Sequence, residues 1–318
     1  MPAGLFFGIT MDDMLQAEHP PAISSDPPRV IAPARATIFA ERALRFATLA
    51  EGHALSDWLR FLGRLTQAQH QALLSMSAPP LPSSAARERA RNHAMPPLPA
   101  HSWPRDTAWR LALLAILGAI CSDASEPVRQ SCTTLQAATS GELEELAERV
   151  LRAELHGEDA ALLPFVAAAL QVYWTALAAE LGDAGIPALD VPGVCPCCGS
   201  LPVASIVRIA PEMNNLRYLH CSLCNTEWNL VRVKCAACDA TEAIAYQQID
   251  GPGLRHAGAM RAETCDDCMS YLKILYQEKA PESDPVADDL ATLALDMLVD
   301  EAGYSRAGPN LLFVSGSS

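Results

Sequence analysis

Four Cys-x-x-Cys pairs, Cys195/Cys198, Cys221/Cys224, Cys235/Cys238 and Cys265/Cys268, fall within 74 residues of a 318-residue chain. Two intervening residues let both sulfurs of a tight turn reach one ion, and leave the turn's N–H groups free to hydrogen-bond the thiolates. Two such knuckles complete a tetrahedral shell of four sulfurs, which suits Zn²⁺ or a single rubredoxin-type iron. The chain has eleven cysteines in all. With eight of them paired in this way, the pattern reads as metal chemistry rather than a disulfide framework. The eight cysteines named above are the candidate ligands, for two ions.

The first two knuckles are separated by 22 residues and the last two by 26, each enough for an antiparallel hairpin. That favours two consecutive ribbons, Cys195/198/221/224 and Cys235/238/265/268, with a cross-brace of alternate knuckles as the other arrangement. The residue after each second cysteine often takes a left-handed conformation, which Gly199, Asn225 and Asp239 tolerate. Met269 does not tolerate it well, so the fourth knuckle is expected to differ. The run from Met269 to Tyr276 reads as a helix starting at Cys268. Cys197 reads as an exposed spare residue, or more sharply as an alternative ligand or reactive thiol. Cys121 and Cys132 read as small core residues. His220 and His256 flank knuckles, but four cysteines per ion leave them no vacancy. Closed four-sulfur shells also offer no open position to a substrate. No nucleotide-binding loop, GxSxG or HExxH occurs, so the chain does not read as an enzyme.

Ahead of the knuckles the sequence is helical in character. Glu41 to Leu73 spaces Leu44, Phe46, Leu49, Leu55, Trp58, Leu59, Leu62 and Leu65 by threes and fours, with small interruptions. Thr139 and Glu142 form a capping box before Leu143, Leu146, Val150 and Leu151. Proline-rich Ala78–Pro82 and Met95–Pro104 read as connectors. Ala160 to Ala179 is uncharged over 20 residues, long enough to span a bilayer. Its Pro164, Gln171 and Thr175 and its alanine content favour a buried core helix. Beyond the break at Gly182–Gly193, Val203–Ile209, Leu230–Val233 and Ala243–Ile249 read as strands. A last helix begins with Asp284 as N-cap and Pro285 at N1, carries Val286, Leu290, Leu293 and Met297 as a stripe, and stops at Gly303. Its Asp284, Asp288, Asp289, Asp296 and Asp300 read as a solvated face.

These readings give an α+β multi-domain chain: an N-terminal α-helical domain, two tandem rubredoxin-like or zinc-ribbon metal modules of four cysteines each, and a C-terminal helix. The expected division is a poorly ordered lead-in over 1–33, the helical domain over 34–185, the ribbons over 186–230 and 231–278, and an acidic helix and tail over 279–318. The N-terminus lacks a basic n-region and a small-residue cleavage site, so no signal peptide is expected, and Met11 or Met14 could also serve as a start. A cytoplasmic protein follows. Net charge is −14, which works against nucleic acid and against an anionic membrane surface. The ribbon segment from Ile186 to Glu278 has seven Lys/Arg against ten Asp/Glu, so a nucleic-acid-binding zinc ribbon is the weakest of the readings.

Several local sequences carry a closer resemblance. They are Cys195-Pro-Cys-Cys-Gly-Ser-Leu-Pro, Arg217-Tyr-Leu-His-Cys-Ser-Leu-Cys-Asn-Thr-Glu-Trp228, Arg232-Val-Lys-Cys-Ala-Ala-Cys, Glu263-Thr-Cys-Asp-Asp-Cys-Met-Ser-Tyr-Leu-Lys273 and the stretch from Asp284 to Asp296. Together they resemble the formate dehydrogenase accessory protein family FdhE, departing from it at Cys197. The resemblance implies a cytoplasmic assembly factor for respiratory molybdenum (or tungsten) formate dehydrogenases. Its partner would be the catalytic subunit, contacted before export by the twin-arginine route. It also implies rubredoxin-like iron at the eight paired cysteines, with zinc as the alternative. A rubredoxin-like electron carrier is the second functional reading, and self-association into a homo-oligomer stays open. On the same basis the acidic helix could grip the client instead of facing water. Trp228 is expected to pack on the first ribbon, and Arg217 and Tyr218 to support its hairpin or touch the partner.

Overall fold

In the computed structural model, residues 27–210, 213–249 and 258–314 are described. The apolar run that could have crossed a membrane is the centre of the helical half. It forms a 3-10 turn, Ala160–Leu162, followed by helix α7, Leu163–Gly185. Every residue from Phe165 to Ala178 is buried. A helix apolar all round belongs in a core, and its neighbours supply one: α1 (Ile38–Ala50), α2 (Ser56–Ser75), α4 (Ala108–Ile120), α5 (Glu126–Ala137) and α6 (Ser140–Leu151). Of these, α2, α4 and α6 pack directly on α7. The capping box of Thr139 and Glu142 starts α6 as expected. A short amphipathic helix without buried residues, α3 (Ser84–Asn92), lies between the two proline-rich connectors.

The buried face of α1 differs from the expected leucine stripe. Leu44 points outward at 70% exposure, and Leu55 lies before α2 at 42%. The inward face is instead Phe39, Arg42, Arg45, Phe46 and Ala50. Two guanidinium groups therefore enter the core, and their partners come from the far end of the chain.

The strands form one mixed sheet in the order β1-β4-β3-β2-β7-β6-β5, with β8 added to β7. The first ribbon is β2 (Pro202–Arg208), β3 (Leu216–Cys221) and β4 (Glu227–Asn229). The second is β5 (Ile244–Gln247), β6 (Met260–Cys265) and β7 (Ser270–Tyr276). Within each ribbon the neighbours are antiparallel. Parallel pairing of Ser205–Val207 with Ile274–Tyr276 joins them edge to edge. The two modules are thus one slab. Of the lead-in expected to be poorly ordered, Val30–Ile31 forms β1 against Trp228 and Glu227, and Tyr218 donates to the Pro28 carbonyl at 2.8 Å; residues 1–26 lie outside the described residues.

The helix expected from Cys268 is strand β7. This strand is central, with Tyr271 to Leu275 buried on both faces. A strand covered on both sides shows a continuous apolar run instead of alternation, and such a run is easily mistaken for helix. Leu230–Val233 is not a strand; Leu230 adds one bond to the Arg217 carbonyl, then Val231 and Val233 turn out to solvent.

The C-terminal helix is broken in two, α8 (Pro285–Leu290) and α9 (Leu293–Glu301), with β8 (Ser305–Arg306) after Gly303. Asp284 caps α8 by accepting from the N–H groups of Val286 and Ala287. The Thr292 hydroxyl turns back onto the Asp288 carbonyl at 2.9 Å, ending the first helix. The expected stripe stops there: Val286 and Leu290 are buried, while Met297 is 65% exposed and Leu295 and Val299 face inward. Of the five aspartates expected to face solvent, Asp300 alone is exposed and Asp296 is half-buried. Asp284, Asp288 and Asp289 are buried, and each carboxylate meets a cation. The main apolar core runs from Val30 through the helices and the first four knuckle cysteines to Leu312, and a small second cluster gathers Ala262, Tyr271, Leu295 and Val299.

Candidate metal centres

Each knuckle is a turn closed by its own backbone. Cys195 N–H donates to the Ser200 carbonyl and Gly199 N–H to the Cys195 carbonyl. Cys221 donates to the Thr226 carbonyl, and Cys235 to the Ala240 carbonyl. The fourth knuckle is the tip of the β6–β7 hairpin, where Cys265 faces Ser270. Gly199, Asn225, Asp239 and Met269 all have positive φ, Met269 at 51°. Met269 therefore follows the other three, contrary to expectation. The hairpin register fixes its backbone, at a cost of about 1 kcal/mol for a non-glycine residue.

The sulfurs gather in two groups, Cys195/198/221/224 and Cys235/238/265/268, with all four ligand atoms of each within 4.8 Å of one another. The ribbons are consecutive, and the cross-brace is not formed. In the first group Cys195–Cys224 and Cys198–Cys221 are each 3.5 Å apart. In the second, Cys235–Cys268 is 3.7 Å and Cys238–Cys265 is 3.6 Å. A tetrahedral ion with metal–sulfur bonds near 2.3 Å separates its sulfurs by about 3.8 Å, so each group could hold one. The sulfurs of each group act on one another's ionisation. Burial pushes the Cys195 and Cys221 thiols well up, with neighbouring sulfurs modulating both. Burial would raise Cys224 as well, but hydrogen bonds from Cys195, Cys197, Cys198 and Cys221 outweigh it and hold that thiol well below its usual range. In the second group the Ser270 hydroxyl and the other three sulfurs bring Cys268 down to about 7 against the effect of burial. Crowded thiolates repel one another, and a central cation relieves that repulsion.

Backbone donors support both groups. Leu223 and Cys224 N–H groups donate to Cys221 Sγ at 3.4 Å, and Ala237 N–H to Cys235 Sγ at 3.4 Å. Cys197, expected to be exposed, is fully buried. The proline-rich connector covers it: Leu98 N–H donates to the Cys197 carbonyl and Ala100 N–H to the Cys198 carbonyl. Its thiol stands outside the four-sulfur group. A hydrogen bond to Cys224 and burial push it well up. Cys132 is a core residue as expected, whereas Cys121 is half-buried.

His220 is a positioning residue with no place in the sulfur groups. Its Nδ1 lies 3.0 Å from Glu227 Oε1 and its Nε2 3.3 Å from Arg42 Nη2. Arg42 also donates to Asn225 Oδ1 at 2.9 Å, and Asn225 in turn donates to the Thr175 hydroxyl at 2.8 Å. The second knuckle is thereby fastened to α1, α7 and α8 at once. The Arg208 guanidinium and His220 hold the buried Glu227 carboxyl down at about 2, despite a burial penalty in the other direction. Gln171 of α7 adds a bond to the Ser222 carbonyl at 2.8 Å. His256 lies outside the described residues.

The remaining residues singled out from sequence are structural. Trp228 packs on the first ribbon opposite Leu219, its Nε1 donating to the Pro192 carbonyl. Arg217 and Tyr218 are buried. Arg217 pairs with Glu263 at 2.8 Å and donates to the Lys234 carbonyl next to the third knuckle at 2.9 Å. Sequence reading misses the inward cations altogether: Arg42 with Asp284, Arg45 with Asp288, and Lys273 and Arg306 with Asp289 and Asp296. The one sequence signal for them is a pair of arginines three apart on the apolar side of α1.

Comparison with known proteins agrees along the whole described length. The models for the FdhE N-terminal, central and C-terminal domains match residues 27–189, 194–232 and 233–313. An FdhE homolog of Stutzerimonas stutzeri is 39% identical over 296 residues, covering 93% of this chain and 95% of that protein. Protein FdhE of Escherichia coli is 37% identical over 290 residues, covering 91% and 92%. The crystal structure of the FdhE protein from Pseudomonas aeruginosa superposes with a TM-score of 0.80 at 38% identity, covering 91% of this chain and 99% of that one. The chain belongs to the FdhE family of formate dehydrogenase accessory proteins.

Proposed function

We propose that this protein is a cytoplasmic assembly factor for a respiratory molybdenum (or tungsten) formate dehydrogenase, binding the catalytic subunit before export and performing no catalysis itself. Cys195, Cys198, Cys221 and Cys224 hold one ion and Cys235, Cys238, Cys265 and Cys268 a second, iron ahead of zinc. The observation that carries this reading is the pair of four-cysteine groups with tetrahedral spacing, set in a fold shared with FdhE over nine-tenths of the chain. Bound there, each ion would neutralise thiolate charge and tie two knuckles together, so that binding energy becomes folding energy. The helical domain over 34–185, the ribbons over 186–230 and 231–278 and the tail from 279 are the units of this assembly, packed on one another. The test is Cys221→Ser. It should cost the first ion and abolish capture of the formate dehydrogenase catalytic subunit; metal content and capture both unchanged would refute the reading.

A second reading, a rubredoxin-like electron carrier, is favoured by the exposure of Cys238 in the second group. It requires iron. Anaerobic purification with metal analysis and a visible spectrum decides it: ferric iron on four thiolates is coloured and reversibly reducible, and a zinc-only protein rules it out.

A further inference from the structure

We propose that the two four-cysteine groups are unlike sites: Cys195/198/221/224 is a sealed structural centre, and Cys235/238/265/268 is an exchange site that admits an incoming ligand at Cys238. The inference rests on the reading that each group holds one ion.

In the first group all four cysteines are at most 1% exposed. Cover arrives from three directions. The Leu98–Ala100 connector is hydrogen-bonded onto Cys197 and Cys198. Helix α7 holds Ser222 and Asn225 through Gln171 and Thr175. Helix α1 holds Asn225 through the fully buried Arg42. Reaching those sulfurs requires the helical half to part from the sheet.

The second group is open on one side. Cys235 and Cys265 are buried, Cys268 is half-buried and Cys238 is exposed. The tip of the third knuckle, Ala237 to Asp239, is exposed throughout, as are Asp266 and Asp267 of the fourth. Among the described residues, no helix of the N-terminal half is hydrogen-bonded to these two knuckles. A closed tetrahedral shell exchanges its ion when a new donor reaches the ion and the coordination number rises before a thiolate leaves. Only the second group gives a donor that path without unfolding. Asp239, paired with Lys234 at 2.7 Å, and Asp266, which accepts from the Tyr304 hydroxyl, stand on its mouth.

The test uses full-length protein loaded with two equivalents of zinc and an excess of the chromogenic chelator 4-(2-pyridylazo)resorcinol. Release should be biphasic, one equivalent per phase. The slow phase should lag by at least about tenfold, since it waits on opening of the core. Cys238→Ser should remove the fast phase and keep the slow one. Because that variant could fold poorly, the unmodified zinc protein is also treated briefly with N-ethylmaleimide and mapped by mass spectrometry. Label should appear on Cys238 and Cys268 before any cysteine of the first group. Release of both ions at one rate, or earlier labelling of the first group, overturns the inference. A chain that takes up neither zinc nor iron instead fails the reading that each group holds an ion, so the two failures are distinguishable.

Discussion

Arg42 Nε donates to both carboxylate oxygens of Asp284, at 2.9 and 3.1 Å, across 242 residues of sequence. The guanidinium is fully buried and the carboxylate nearly so. Breaking such a pair strands a charge, which typically costs about 3–5 kcal/mol. Arg42→Ala or Asp284→Ala should therefore lower the urea unfolding free energy by about that much. The double variant Arg42→Met/Asp284→Leu should recover much of the loss, because neither charge is left unpaired. Single and double variants of equal stability would show that the pair is not the source.

The Glu227 carboxyl is held at about 2 against an ordinary 4.5 by Arg208 and His220. A carboxylate depressed on folding stabilises the protein fully above pH 4.5, and that contribution is lost as pH falls from 4.5 toward 2. At about 1.4 kcal/mol per unit the contribution is about 3 kcal/mol. In metal-free protein, the stability difference between wild type and Glu227→Gln should shrink across this window. Parallel pH profiles would contradict the assignment.

Removing metal should loosen the sheet before the helices. Chelated protein is expected to lose hydrogen-exchange protection in β2 to β7. Protection should also fall in α7 around Gln171 and Thr175, which are bonded to the second knuckle. Helices α5 and α6 should keep theirs, since binding energy at the knuckles is folding energy only for what the knuckles hold. Uniform loss across all helices would show tighter coupling than the contacts imply.

The capping box of α6 offers a local control. Thr139→Ala removes an N-cap acceptor for the Glu142 N–H and should cost about 1 kcal/mol, or about 2 °C in a melting curve. Metal content should not change.

Local chemistry is legible in the sequence, and long-range chemistry is not. The knuckles, the Thr139 and Asp284 caps and the core character of α7 follow from residues within a few positions of one another, and the consecutive pairing is favoured by the separations of 22 and 26 residues between knuckles. Strand β7 passes for a helix because its two buried faces erase the alternation that marks a strand. The acidic helix misleads for a different reason. An aspartate on a helix face looks solvated until its cation is known, and Arg42 and Arg45 lie on the other side of the chain. Cys197 misleads likewise, since the connector that buries it is about a hundred residues upstream. Met269 shows the limit of propensity: tertiary register overrides a residue's local preference.

The parallel joint between β2 and β7 also sets the order in which this molecule can be made. During synthesis the first ribbon emerges with the β2 edge bare, because its neighbour Ile274–Tyr276 has yet to leave the ribosome. The arginines of α1 are in the same position, awaiting Asp284 and Asp288. The nascent chain must keep an unpaired strand edge and two uncompensated charges waiting until its last tenth is translated, and only then can the whole body lock.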